Sequence, residues 1–347
     1  MKNNIINLAR QEIAVMNAYR SARSEALQGS VYLDANENAL SDTRYNRYPE
    51  QQPNELAKLL TTVYGVDRKQ LLITRGSDEG IDLLLRLFCR AGFDKIIICP
   101  PTYGMYRVAA IIQGAETIEV PLMKSDGFAL DVNELLRAWE PSVKLIFLCS
   151  PNNPTGNLLP KSDILSLCRS LNDKSVIVVD EAYIEFSNGE SLTKYVSEYP
   201  NLVILRTLSK AYGLAGVRCG STIANSDIIK LLMKIIAPYP IPIPVAEIVC
   251  QQLNSDITKN AINIIKQEKE NLANFLENLP SVIKVWKSQA NYLLVEVVDA
   301  DRMMRACLKY GIVLRNRSYE YGLENCIRIT IGSPNENALL REVLSNV

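Results

Sequence analysis

Seven short apolar runs, spaced by segments of helical periodicity, fill residues 70 to 225 and limit the fold more than any other feature. The runs are Leu71–Thr74, Lys95–Cys99, Thr117–Leu122, Lys144–Cys149, Ser175–Asp180, Leu202–Thr207 and Ser221–Ala224. Val176-Ile177-Val178-Val179 is apolar at every position, so a strand made from it must be covered on both faces. Between the runs lie helical segments such as Asp78–Arg90 and Lys161–Leu171. Strand and helix in alternation imply a mostly parallel sheet with helices on both sides. The fold class expected is α/β.

The chain has 347 residues, and at about 150 residues per domain this makes roughly two domains. Pro238, Pro240, Pro242 and Pro244 interrupt any regular element and mark the joint. A long helical stretch is expected from about Val245 to Leu279. After it come strand candidates Val282–Trp286, Tyr292–Val297 and Ile327–Ile331, then a closing helix, Asn335–Ser345. The division expected is a large domain over 36–240 and a smaller α+β domain over 241–347. Residues 1–35 are expected to pack with the small one.

Composition removes whole classes of chemistry. Lys and Arg number 38 against 38 Asp and Glu, which leaves no cationic surplus for phosphate backbones, so no nucleic-acid partner is expected. There is no histidine, hence no Ser-His-Asp triad, no His-ligated zinc and no imidazole base. Proton transfer must use Lys, Tyr, Cys, a carboxylate or a cofactor. The eight cysteines are scattered without a C-x-x-C pair, and read as reduced core thiols rather than metal ligands. The most apolar long stretch, Leu231 to Cys250, carries Lys234, Glu247 and four prolines and cannot be a membrane helix. Nothing resembling a signal peptide follows Met1-Lys2-Asn3-Asn4, so a soluble, cytoplasmic protein is expected.

Four strings carry chemistry, each at the carboxyl end of a strand candidate, where open α/β sheets bind ligands. Asp180, in Val179-Asp180-Glu181-Ala182-Tyr183, is a carboxylate that needs a cationic or hydrogen-bonding partner if buried; taken alone it also resembles a helix cap. Ser150-Pro151-Asn152-Asn153-Pro154-Thr155-Gly156 offers the Asn153 carboxamide, or is only a turn. In Thr207-Leu208-Ser209-Lys210, the lysine is of the kind that forms a Schiff base, and Ser209, Thr207 and Arg218 suit a phosphate dianion. In Thr74-Arg75-Gly76-Ser77-Asp78-Glu79, a helix start with a hydroxyl makes an anion site, or an ordinary N-cap. No G-x-G-x-x-G or Walker-type loop is present. Together the strings supply an amine, a partner for a pyridinium, donors to a phenolate and a phosphate cradle. That set complements pyridoxal 5′-phosphate.

In these strings, and in Tyr32-Leu33-Asp34-Ala35-Asn36-Glu37-Asn38, Arg47-Tyr48-Pro49-Glu50 and Ile327-Arg328-Ile329-Thr330, the chain resembles the fold-type I pyridoxal-phosphate-dependent aminotransferases, class II. The N-terminal strings and Asp180–Phe186 point to the histidinol-phosphate branch. The resemblance implies a seven-stranded, mostly parallel sheet in the large domain and a homodimer with shared active sites. It implies that Lys210 holds the cofactor and acts as the catalytic base. Asp180 would pair with the ring nitrogen, Asn153 and Tyr183 would bond the phenolic oxygen, and Tyr103 would stack on the ring. Ser77, Asp78 and Glu79 would form the phosphate-binding helix start, with Ser209, Arg218 and more weakly Thr207 on the same phosphate. Tyr48 would reach the neighbouring subunit's site. Arg328 and Arg315 would receive the substrate's anions, and Tyr19 would lie near its phosphate. The implied reaction is L-histidinol phosphate with 2-oxoglutarate giving imidazole-acetol phosphate and glutamate. The cofactor strings do not separate this from an aromatic aminotransferase, or from a decarboxylase of a phosphorylated amino acid. A non-catalytic sensor on the same fold is a more remote reading.

Overall fold

The structure, a computed structural model, describes residues 5–25, 29–41, 43–253 and 257–346, so the opening four residues lie outside it. Its large sheet is built from β1 (Leu71–Thr74), β2 (Lys95–Ile98), β3 (Glu116–Glu119), β4 (Val143–Cys149), β5 (Val176–Asp180), β6 (Leu202–Thr207) and β7 (Gly220–Ala224). The spatial order is β1-β7-β6-β5-β4-β2-β3. β7 runs antiparallel to both its neighbours and every other pairing is parallel. The carboxyl ends of β1, β2, β4, β5 and β6 therefore share one rim with the start of β7.

Two-residue alternation sorts the core. Leu145, Phe147, Val176, Val178, Val203 and Leu205 enter one apolar cluster, while Ile146, Leu148, Ile177, Val179, Leu202 and Ile204 enter the other. Helices α1 (Gln11–Val15), α2 (Asn54–Tyr64), α3 (Ser77–Phe88), α4 (Met105–Gln113), α5 (Val132–Ala138), α6 (Lys161–Ser170) and α7 (Ser226–Ile235) cover the sheet. Leu84, Phe88 and Leu232 close the first face, and Leu56, Leu60 and Leu167 close the second. Each such fully buried side chain contributes roughly 1.5–3 kcal/mol.

The small sheet, ordered β10-β11-β9-β8, comprises β8 (Val282–Val285), β9 (Tyr292–Val297), β10 (Arg315–Asn316) and β11 (Cys326–Thr330). Helices α8 (Ile243–Leu253), α9 (Ile257–Leu276), α10 (Ala300–Lys309) and α11 (Pro334–Leu344) complete the chain. A separate apolar cluster around Leu272, Leu293, Val295 and Ile327 holds α9, α10 and α11 on the small sheet.

Three expectations are corrected. Residues 5–15 do not pack with the small layer: Ile5, Ala9 and Ile13 join the cluster under α3 and α7, and Lys234 Nζ caps the Ala14 carbonyl at 2.7 Å. The apolar spacing of that segment matches the groove beside α7. Of the expected helix over 245–279 the structure describes α8 up to Leu253 and α9 over Ile257–Leu276, and residues 254–256 lie outside the description. The first of the two, α8, packs through Val249 in the same cluster as Leu56 and Leu60 of α2, on the large layer rather than the small. Pro244 falls in its first turn, where a missing N–H breaks no helical hydrogen bond. β3 stops at Glu119, because its partner β2 runs into Pro100-Pro101, which lack N–H groups; Val120 and Leu122 stay buried beyond the strand.

Seven cysteines are buried and Cys250 is half-buried, with no disulfide among the described residues. No described helix is long and apolar enough to cross a membrane.

Candidate active site

A cavity of about 610 Å³ opens on the shared rim of the large sheet, walled on its far side by the β10–β11 edge of the small sheet. Ser77, Asp78, Tyr103, Asn153, Asp180, Tyr183, Thr207, Ser209, Lys210, Arg218, Arg315 and Arg328 all line it.

Its floor is Asp180, the last residue of β5 and 3% exposed. One carboxylate oxygen accepts from the Tyr106 hydroxyl at 2.9 Å and the other from the Ala182 N–H at 3.1 Å. Among the described residues no cation makes an ion pair with it. Burial pushes its pKa up to about 6, against the hydrogen bonds that favour the charged form. A buried carboxylate facing a cavity without a cation is a socket for one.

Beside it, Lys210 follows β6, with Nζ 5.7 Å from the centre of the Tyr183 ring. Burial, then the positive charges of Arg328 and Arg218, hold its pKa below the usual lysine range. Asn153, after β4, has its amide nitrogen 3.4 Å from the Tyr183 hydroxyl. Its amide oxygen accepts from Arg328 Nη1 at 2.6 Å. One side chain thus joins the two walls.

At the other end, the turn into α3 and the start of β7 nearly touch. A Cβ on Gly220 would lie 2.5 Å from the Gly76 carbonyl carbon, and one on Gly76 would lie 2.7 Å from Arg218 Nη2. Gly76 also has φ +80°, a conformation that favours glycine. The approach brings Arg218 to Ser209 Oγ at 3.3 Å and to Asp78 Oδ2 at 3.2 Å, with the first N–H groups of α3 beside them. Asp78 also accepts from the Tyr103 hydroxyl at 3.0 Å. Thr207 Oγ1 accepts from the Ser209 N–H at 3.2 Å. An anion here meets a guanidinium, two hydroxyls and a helix start.

Three candidates lie elsewhere. The Glu79 carboxylate is taken by Arg75, at 2.8 Å to Nε and 2.6 Å to the backbone N–H. Tyr48, half exposed, stacks on Tyr239 at 4.3 Å and lines a different cavity with Glu37 and Pro242. Tyr19 is 72% exposed and touches no part of the site. Sequence reasoning missed Tyr106, Arg317, Tyr319 and Glu320. Tyr106 sits one helical turn beyond Tyr103, a spacing that was available. Arg317 is two residues from Arg315, just past a strand too short to show a period.

The residues fit pyridoxal 5′-phosphate. The unpaired buried carboxylate suits the pyridinium, Asn153 and Tyr183 can donate to the phenolic oxygen, and the α3–Arg218 end suits the phosphate.

Comparison with known proteins agrees. The sequence profile of the family described as aminotransferase class I and II matches residues 5–344. The histidinol-phosphate aminotransferase of Buchnera aphidicola subsp. Schizaphis graminum is 42% identical over 355 residues, covering 100% of this chain and 99% of that protein. Among solved structures, the histidinol-phosphate aminotransferase from Clostridium acetobutylicum superposes with a TM-score of 0.80 at 22% identity, over 87% of this chain and 90% of that one. The enzyme of the same name from Sinorhizobium meliloti, in complex with pyridoxal-5′-phosphate, gives 0.77 at 23% identity, over 90% of each chain. At those identities the two structures speak for the fold alone. With a matching family profile over nearly its whole length, the chain belongs to the class I and II aminotransferases, a pyridoxal-phosphate-dependent family.

Proposed function

We propose that this chain transfers the amino group of L-histidinol phosphate to 2-oxoglutarate, giving imidazole-acetol phosphate and glutamate. The observation that carries the reading is one cavity with Lys210 and the buried Asp180 on one wall and Arg315 and Arg328 on the other. Full-length identity of 42% to a protein named for that substrate supports it.

When bound, pyridoxal phosphate supplies an electron sink for the pair left as the substrate Cα–H bond breaks. The chain's residues do the rest. Asp180 keeps the ring nitrogen protonated, and Asn153 and Tyr183 hold the phenolic oxygen. Ser77, Ser209, Arg218 and the first N–H groups of α3 grip the phosphate, with Thr207 orienting Ser209; Asp78 acts by fixing Arg218 and Tyr103. Tyr103 flanks the ring. Lys210, with its pKa lowered, would take the Cα proton as the free amine; general base catalysis of this kind is worth typically about 10²–10⁴-fold. Arg328 and Arg315 take the distal anion, phosphate in one half-reaction and carboxylate in the other, since a guanidinium fork binds either.

The reading extends to a cytoplasmic homodimer. Tyr48 and Tyr19, exposed here, serve the neighbouring subunit's phosphate site and the substrate phosphate respectively. Spectral titration of the purified holoenzyme with histidinol phosphate, phenylalanine and threonine phosphate tests the substrate. Only the first should bleach the cofactor band at low concentration. Response to phenylalanine or threonine phosphate alone would replace this reading by an aromatic aminotransferase or a decarboxylase.

A further inference from the structure

The segment between β10 and β11 forms part of the cavity wall, and its polar groups are under-used. Arg317 is paired with Glu320, with their side chains 10% and 17% exposed, and the Glu320 N–H donates to the Arg317 carbonyl at 3.0 Å. Beyond that pair, Arg317 Nε, Glu320 Oε2 and Arg328 Nε are buried without a hydrogen-bond partner. Buried polar groups are nearly always satisfied, so three orphans among residues lining one cavity mark a wall short of polar partners, which a side chain turned toward the cavity would find in a ligand. They are of both kinds: guanidinium N–H groups that need an anion, and a carboxylate oxygen that needs a donor.

Glu320 is also the one lining carboxylate with an oxygen left without a partner, its other oxygen being held by Arg317. Asp78 already accepts from Tyr103 and Arg218, and Asp180 lies at the floor with Tyr106. The torsion that turns the Glu320 carboxylate is broad and two-fold, so either oxygen can be offered to the cavity. Arg315 and Arg328 are register partners across the β10–β11 pair, which sets their guanidinium-bearing residues side by side next to Glu320.

We infer that this wall is a mixed-polarity subsite in which Glu320 accepts an N–H from the ring of the amino substrate while the arginines take its anion, making Glu320 a specificity-determining residue. The inference rests on the histidinol-phosphate reading, because that substrate carries both a phosphate and a ring N–H. Glutamate, the other amino donor, carries only the anion.

The experiment compares kcat/KM for histidinol phosphate and for glutamate in the holoenzyme, in the wild type, Glu320→Gln and Glu320→Leu. The ratio of the two values should fall in the order wild type, Gln, Leu, and by at least about tenfold for Leu. The neutral amide can still accept a weaker bond, whereas Leu cannot. If Glu320 merely braced Arg317, both substrates would suffer alike, and a ratio within twofold of wild type in both variants overturns the inference. Should Leu fail to fold, the Gln variant decides the matter by the same ratio. A wild-type enzyme inert to histidinol phosphate would instead bring down the substrate reading, and the inference with it.

Discussion

Asp180 and Lys210 share a cavity, and their shifts run in opposite directions for one reason: burial disfavours whichever form is charged. For Asp180 the sign of the consequence is definite. Its folded pKa, about 6, lies above the ordinary 3.8, so between those values the folded cofactor-free protein holds a proton that the unfolded chain has lost. Stability of the apoprotein therefore falls as pH rises through that window, by on the order of 2–3 kcal/mol. Asp180→Asn should remove the loss, raising the apoprotein's urea midpoint at pH 7.5 while leaving that at pH 4 nearly unchanged. The same variant should lose on the order of 10²–10³-fold in turnover, because a neutral amide does not hold a pyridinium. Lys210→Ala should abolish both half-reactions, read by single-turnover spectroscopy, with partial recovery on adding a small amine. Most of these residues were legible from sequence, since a carboxylate, an amide and a lysine each closing an apolar run is a pattern a reader can find. Glu320 and Arg317 were not, because they follow a strand of only two residues and come to the cavity through its pairing with β11.

The elements matter through how closely they approach. β7 lies between β1 and β6, so its first residue meets the start of α3. Gly220→Ala would place a methyl carbon against backbone that cannot move aside. The expected result is a loss of about 1–3 kcal/mol of stability, read as a lower urea midpoint, with weaker cofactor retention during dialysis. Next to it, buried Arg206 reaches Glu185 at 2.6 Å, tying β6 to the turn after β5 and so the Lys210 loop to the Tyr183 loop. Strands β1, β6 and β9 match their sequence-read limits residue for residue. β3 is shorter than its apolar run suggests, because Val120 and Leu122 still donate to the Ile98 and Pro100 carbonyls at 3.0 and 2.8 Å while Pro100 and Pro101 have no N–H to return. β10 escaped notice altogether, since two residues cannot show alternation.

On the scale of the molecule, the two sheets are joined at the site itself. The Tyr292 hydroxyl donates to the Asn152 carbonyl at 2.5 Å, the Gln289 N–H to the Gly156 carbonyl at 2.7 Å, and Arg328 to Asn153. Removing Arg328 thus subtracts from both the cavity wall and the seam. Arg328→Ala should raise KM for histidinol phosphate and for 2-oxoglutarate together, by at least about tenfold each, in steady-state assays. Sedimentation of the holoenzyme should give twice the chain mass, in keeping with the exposed Tyr45, Tyr48 and Leu40. A second, antiparallel sheet was readable from the strand candidates after residue 280, although α8, just past the proline run, stays on the large layer. The allegiance of residues 5–15 and of α8 was not, because an amphipathic helix announces that it has a face, not which neighbour will take it.

The sulfur atoms of this chain have a practical use. Burial holds the thiols of Cys89, Cys99, Cys168, Cys219 and Cys326 near 12, far from the reactive thiolate. A maleimide dye mixed with intact enzyme finds almost nothing to attack, and colours a molecule heavily only once it has come apart. The rate of labelling is then a stopwatch for opening, readable in a mixture and without any engineered tag.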